Sequence, residues 1–157
     1  MQRVPMTKKG AEALREQLNY LKGEKRHQII SNIEEARAHG DLSENAEYHA
    51  AKEDQGMNEA KVKDLEDRLA RAQVIDPATI TSEKIVFGAT IELVDCDTEK
   101  EVTYQIVGED EADIEAGKIS VTSPIARALI GKEEGDVAIV KAPGGEREYE
   151  IGAIIYE

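Results

Sequence analysis

The chain has 157 residues, with 20 Lys and Arg against 33 Asp and Glu, a formal net charge of −13 and 40% hydrophobic residues. That length holds one domain or two small ones, and the charge argues against strong binding to free nucleic acid. The lone cysteine, Cys96, excludes a disulfide framework or thiolate zinc site within one chain, and no apolar run approaches a signal peptide or the roughly 20 residues of a membrane span, so the expectation is a soluble, cytoplasmic protein with no membrane partner.

From Thr7 to Ala38 there is no proline, and Leu14, Leu18, Leu21, Ile29, Ile33 and Ala36 recur at helical spacing. One long helix is expected, roughly 45 Å at 1.5 Å per residue, with Thr7 as its N-cap. A second is expected from about Ser43 to Val74, with Ala46, Ala50, Met57, Val62, Leu65, Leu69 and Ala72 on its inner side. The two apolar patterns mirror each other: Leu14 matches Leu69, Leu18 matches Leu65, Leu21 matches Val62 and Ile33 matches Ala50, and each pair of residue numbers totals 83. Such symmetry is what two antiparallel helices zipped along one seam require. It places the turn between Asp41 and Leu42. Gly23 and Gly56 weaken the middle of the seam, each by about 1 kcal/mol relative to alanine.

Beyond a linker at residues 76–84 the pattern changes to period two. Ile85–Val94, Glu101–Val107, Lys118–Val121, Asp136–Lys141 and Glu148–Tyr156 read as strands bounded by turn residues. Pro124–Ile130 reads as a short helix with proline at its first position, and Pro143-Gly144-Gly145 as a hairpin turn. The expected fold class is α+β: a helical hairpin over residues 1–75, then an antiparallel sheet with one short helix over residues 85–157.

Charge is uneven along the chain. Residues 1–75 carry 13 basic and 14 acidic side chains, while residues 76–157 carry 7 and 19. Within the hairpin, residues 1–33 hold seven Lys and Arg against three Glu, and residues 34–54 hold two against seven. The tip is acidic. Asp41 and Glu44 stand three apart where the second helix is expected to begin, the spacing of a capping box, in which Asp41 accepts a backbone N–H and Glu44 folds back. The same pair suits a divalent cation, because a capping carboxylate still has a second oxygen and Mg²⁺ commonly takes one or two protein carboxylates. Spacing alone leaves both readings open. His39 and His49 flank the pair as solvated surface or as further ligands. No local motif places a Ser or Cys nucleophile, and Gly131-Lys132 lacks the spacing of a phosphate loop. With no Trp, one Phe and five Tyr, stacking platforms for single strands are also missing.

The run Ala36-Arg37-Ala38-His39-Gly40-Asp41-Leu42-Ser43-Glu44-Asn45-Ala46-Glu47-Tyr48, with Ser123-Pro124-Ile125-Ala126-Arg127-Ala128-Leu129-Ile130-Gly131-Lys132 and Pro143-Gly144-Gly145, closely resembles the bacterial Gre transcript cleavage factors, notably the GreA type. The resemblance covers essentially the whole chain. It implies an N-terminal antiparallel coiled coil and a C-terminal domain of FKBP-like fold that docks on RNA polymerase while the hairpin enters the secondary channel. It further implies that Asp41 and Glu44 help the polymerase hold a Mg²⁺ and position water, so that the polymerase's own active site cleaves backtracked RNA near its 3′ end. The factor is then an accessory and not an enzyme. It has no cofactor in isolation, shares Mg with the polymerase, and has the polymerase and the nascent RNA 3′ end as partners. By the same resemblance Arg37, Asn45 and Tyr48 support the tip or contact RNA, and Ser123, Pro124 and Ile125 face the polymerase. A basic stripe of Lys8, Lys9, Arg15, Lys22, Lys25 and Arg26 is a candidate for salt-sensitive contacts with RNA or channel wall. The alternatives are a channel binder that inhibits or modulates the polymerase without promoting cleavage, a prolyl isomerase, for which residues 85–157 carry few aromatics, and a coiled-coil adaptor, which needs no acids at its turn.

Overall fold

The structure is a computed structural model that describes residues 3–157, apart from the side chain of Ala142. Its contacts divide the chain into two compact units, one of residues 11–71 and the other of residues up to Gly10 together with Ala72–Glu157.

The helical unit is a pair of arms. The first is α1 (Lys8–Tyr20), a π-helical turn (Leu21–Lys25) and α2 (Arg26–Arg37), and the second is α3 (Ala46–Arg71). Cross-arm contacts run in opposite senses: Lys22 meets Glu66, Arg26 meets Glu59, and Asn45 meets the carbonyl of Ala36. The arms are therefore antiparallel, and the chain reverses between Arg37 and Ala46 as the mirror pattern requires. Leu21, Val62 and Leu65 form a buried cluster with Leu14 and Leu18 packed on it.

Three expectations for the helices are corrected. The first arm is not one uninterrupted α-helix, because the π turn breaks its hydrogen-bond ladder at Leu21–Lys25. The second begins at Ala46 and ends at Arg71, and Ala72–Ile75 is strand β2. The expected inner face of α3 holds at Val62 and Leu65 but is one residue off in the N-terminal half of the helix: Ala51 and Asn58 are buried, whereas Ala50 is exposed and Met57 is 56% exposed. Residues 51, 58 and 65 are spaced by sevens on one face, and the apolar Met57 drew the expected stripe off it.

In the sheet unit, β1 (Val4–Thr7) pairs in parallel with β2 (Ala72–Ile75), a ribbon the sequence pattern did not announce. Strands β1 and β2 and the first residues of α1 thus group with the sheet. Thr7 still caps α1, since its hydroxyl accepts the Gly10 N–H at 3.1 Å. Asp76 then caps a 3₁₀ turn at Pro77–Thr79 by accepting the Ala78 N–H at 3.1 Å.

The main sheet has five strands, β3 (Thr90–Asp95), β4 (Glu101–Val107), β5 (Lys118–Ser120), β6 (Val137–Ala142) and β7 (Gly145–Ile155), in the order β5-β4-β3-β7-β6. It is mixed and not wholly antiparallel. Strand β5 runs parallel to β4 because residues 108–117 cross over through two 3₁₀ turns in place of a hairpin. The strand expected from Ile85 begins only at Thr90. Ile85 itself enters the core from a loop, its N–H donating to the Lys132 carbonyl at 2.8 Å. Alternation puts Ile91 and Leu93 of β3, Ile106 of β4, Ala138 and Val140 of β6 and Tyr149 and Ile151 of β7 on the inner face. Helix α4 (Pro124–Leu129) closes that core with Ala126 and Leu129, both fully buried. Each fully buried Ile or Leu is worth about 1.5–3 kcal/mol. The loop before α4 therefore leads directly into the core.

Candidate functional site

The reversal at the end of the helical unit is built from local hydrogen bonds. After Arg37 the chain tightens, with the Ala38 N–H shared between the carbonyls of Glu34 and Glu35 and the His39 N–H donating to Ala36. Gly40 then takes φ +122°, a conformation a side chain resists. Asp41 follows. Its Oδ1 accepts the N–H of Ser43 at 3.0 Å and the Ser43 hydroxyl at 2.9 Å. This is an Asx turn, and the Ser43 backbone bond, then its hydroxyl bond, hold the Asp41 carboxyl below the usual carboxylate range.

The capping box does not form. Helix α3 starts at Ala46, and its cap is Asn45, whose Oδ1 accepts the Tyr48 N–H at 3.0 Å. The same side chain donates through Nδ2 to the Ala36 carbonyl at 2.6 Å, tying the end of the first arm to the start of the second. Asn45 thereby takes the structural duty that spacing had offered to Asp41. Asp41 Oδ2 is left without a hydrogen bond, and Glu44 has neither hydrogen-bond nor ion-pair partner among the described residues.

Both acids are exposed and line one open concavity of about 540 Å³ with His39, Asn45, Ala46 and Glu47. His39 Nε2 lies 3.9 Å from a Glu47 carboxylate oxygen, and His49 Nε2 lies 3.3 Å from the Ser43 carbonyl. Tyr48 packs edge-on against the His49 ring, with centroids 5.7 Å apart. Arg37 is exposed and does not line the concavity, nor does Tyr48. Among the described residues no group of three or more His, Cys, Asp or Glu converges as a metal cage. The tip offers two hard carboxylates with three oxygens not engaged among the described residues, and no complete site.

The remaining candidates fall into two sets. Ser123 caps α4, its hydroxyl accepting the Ala126 N–H at 3.2 Å and donating to the Ser120 carbonyl at 2.6 Å. Pro124 is exposed, whereas Ile125 packs partly against the core. In the basic stripe, Arg26 makes a bidentate pair with Glu59 at 2.8 and 2.9 Å, Lys22 lies 3.6 Å from Glu66 and Lys8 lies 3.9 Å from Asp76. Lys9, Arg15 and Lys25 have no such partner among the described residues. Half of the stripe is already engaged within the chain.

Two polar groups are buried for structural reasons: Asp95, which the sequence reading passes over, and Asn58, which it places near the weak middle of the seam. Asp95, 5% exposed, organises the β3–β4 turn, and Asn58, 4% exposed, hydrogen-bonds the Leu21 carbonyl at 3.0 Å. The run Asp95-Cys96-Asp97-Thr98 at a strand end signals the first, and the seven-residue spacing of Ala51, Asn58 and Leu65 signals the second.

Comparison with known proteins identifies the family. Residues 4–74 match the family model described as the N-terminal region of the GreA/GreB transcription elongation factors, and residues 80–156 match the model of their C-terminal region. The chain belongs to the GreA/GreB transcription elongation factor family. It is 62% identical over 157 residues to the transcription elongation factor GreA of Alkalilimnicola ehrlichii, covering 99% of each chain, and 61% identical to that of Halorhodospira halophila, covering all of both. Among solved structures, the GreA factor homolog Gfh1 of Thermus thermophilus is 30% identical over 98% of this chain and 99% of its own, with a TM-score of 0.44. No helix among the described residues is long and apolar enough to cross a membrane.

Proposed function

We propose that this elongation factor stimulates the intrinsic, Mg²⁺-dependent cleavage of backtracked RNA by RNA polymerase, as an accessory and not as an autonomous enzyme. In this reading the arms form an antiparallel coiled coil that enters the secondary channel, residues 85–157 form an FKBP-like docking domain that meets the polymerase through Ser123, Pro124 and Ile125, and the setting is the cytoplasm. One observation carries the proposal: at the chain reversal Asp41 and Glu44 are exposed, share one concavity, and keep three of their four carboxylate oxygens unengaged.

The donor set fits a hard divalent ion, which commonly takes one or two protein carboxylates and fills its other positions from elsewhere. A divalent ion bound there supplies charge neutralisation at the phosphate and lowers the pKa of water. The chain's own residues do the placing. Ser43 fixes Asp41 Oδ1, so the other oxygen points from a defined turn, and Asn45 ties the two arms together beside it. Asp41, whose carboxyl those bonds hold below the usual carboxylate range, presents an anion at neutral pH as any exposed aspartate does. Arg37 and Tyr48 flank the acids and are proposed to meet RNA, and Lys9, Arg15 and Lys25 are the basic side chains free for salt-sensitive contacts along the first arm.

The test is a stalled, backtracked polymerase complex supplied with Mg²⁺ and this protein, followed by RNA sizing. Stimulated 3′ shortening that disappears with Asp41→Ala and with Glu44→Ala supports the proposal. Binding without shortening would favour the modulating channel binder, and equal shortening by the variants would remove the acids from the mechanism.

A further inference from the structure

The first arm carries one residue too many for its face. Leu14 to Leu21 is seven residues and Ile29 to Ala36 is seven, but Leu21 to Ile29 is eight. On the facing arm the buried positions Ala51, Asn58 and Leu65 keep sevens throughout. At about 100° per residue, the eighth residue in an unbroken α-helix would carry Ile29 roughly 80° off the seam. Leu21 and Ile29 are nevertheless both buried, 7% and 3% exposed. The π turn at Leu21–Lys25 lies between them and absorbs the extra residue, as a single wide turn does.

Asn58 stands opposite that turn. It is 4% exposed, donates through Nδ2 to the Leu21 carbonyl at 3.0 Å, and leaves its Oδ1 without a partner among the described residues. A buried amide satisfied on one side costs stability and is kept where it specifies one arrangement over its rivals. The rival here is plain. Without that bond the wide turn keeps the packing of Leu21 on Val62 and Leu65 and the exposed Lys22–Glu66 pair, neither of which fixes a backbone carbonyl, and α2 is free to rotate or slip against α3.

We propose that Asn58 is a positioning residue: by holding the Leu21 carbonyl it pins the π turn and fixes the rotational phase of α2 on α3, and so the placement of Asp41 and Glu44. The inference rests on the cleavage function proposed above, but its structural half is testable without the polymerase. Gly23, inside the turn, has open space around an added Cβ, so no neighbouring side chain packs on that side of it. Deleting Gly23 restores the seven-residue spacing and removes the need for the turn.

The experiment compares the full-length chain with Asn58→Leu, with Gly23 deleted, and with both changes together. Each is studied in a Cys96→Ser background with spin labels at Glu34→Cys and Glu53→Cys to read the distance between the arms, and unlabelled in the RNA-shortening assay. Asn58→Leu is expected to keep its helix content while its inter-arm distance distribution broadens. Its maximal cleavage rate should fall about tenfold or more, with the half-saturating factor concentration changed less than about twofold. The double variant should recover a narrow distribution and a rate within about threefold of the parent, a rescue that a merely stabilising role for Asn58 does not predict. An unchanged distribution and rate in Asn58→Leu, a loss of rate that only follows loss of helix, or a double variant no faster than Asn58→Leu would each overturn the proposal. Inactivity of the parent chain beside a broadened Asn58→Leu distribution would instead count against the cleavage function and leave the phase-setting role standing.

Discussion

Asp41 and Asp95 are two aspartates in near-identical local motifs with opposite fates. Each uses Oδ1 to accept the N–H of the residue two places on, Ser43 at 3.0 Å and Asp97 at 2.9 Å. Asp95 also accepts the Thr98 N–H, meets Arg147 at 3.3 Å through Oδ2, and is buried in the sheet unit. Asp41 is exposed, and its Oδ2 has no hydrogen-bond or ion-pair partner among the described residues. In both, a backbone bond is the leading reason the carboxyl lies below its usual range, and at Asp95 the Thr98 bond and Arg147 add to it against the cost of burial. The turn motif alone does not mark function. What separates the two is whether the second oxygen is consumed by the fold, and only at the helical tip is it left for something outside the chain.

The contrast breaks first where the effects are largest. Asp41→Ala should cut RNA shortening on the order of a hundredfold, as loss of a placed charge-stabilising group does, while thermal unfolding followed by circular dichroism stays at the parent value. Asp95→Ala should do the reverse, lowering the unfolding midpoint more than any tip substitution and sparing the maximal cleavage rate in chains that remain folded. A fall in cleavage without a fall in stability for Asp95→Ala would erase the distinction.

Acid unfolding sharpens the same comparison. Because the folded pKa of Asp95 is depressed, its contribution is complete above the unfolded value near about 3.9 and is lost as pH falls through the lower folded value. The stability difference between the parent and Asp95→Asn should therefore be constant from about pH 5 to 7 and shrink below about pH 4, as denaturant titrations at each pH would show. Asn45→Ala comes next, costing about 1 kcal/mol for the lost cap and freeing the Ala36 carbonyl, seen as faster amide exchange over residues 36–48. Smallest is Arg26→Ala, which removes an exposed bidentate pair worth about 0.5 kcal/mol and should leave cleavage unaltered.

Much of this was legible in the residues, and the misses have physical causes. Leu14, Leu18 and Leu21 against Val62 and Leu65 announced the antiparallel arms because apolar side chains at seven-residue spacing have one way to be buried. Ser123-Pro124 announced its helix start through cap chemistry that is wholly local. The π turn was hidden because a period of 3.6 tolerates a one-residue drift, so the eight-residue step from Leu21 to Ile29 passed as helical. Strand β2 was hidden because Ala72-Gln73-Val74-Ile75 continues a helical pattern without a breaker, and only β1, some seventy residues earlier, converts it to strand. At the tip, Asp41 and Asn45 are both able caps. The choice between them turned on the Asn45 bond to Ala36, nine residues away, which no local spacing encodes.

The most direct measurement is a Mg²⁺ titration of RNA shortening with the parent and with Asp41→Asn. That substitution keeps an Oδ1 able to accept from Ser43 and removes only the charge offered by the second oxygen. If Asp41 is a ligand, the variant requires a markedly higher Mg²⁺ concentration for half-maximal cleavage and regains rate as Mg²⁺ rises. Superimposable Mg²⁺ curves for the two chains would contradict it.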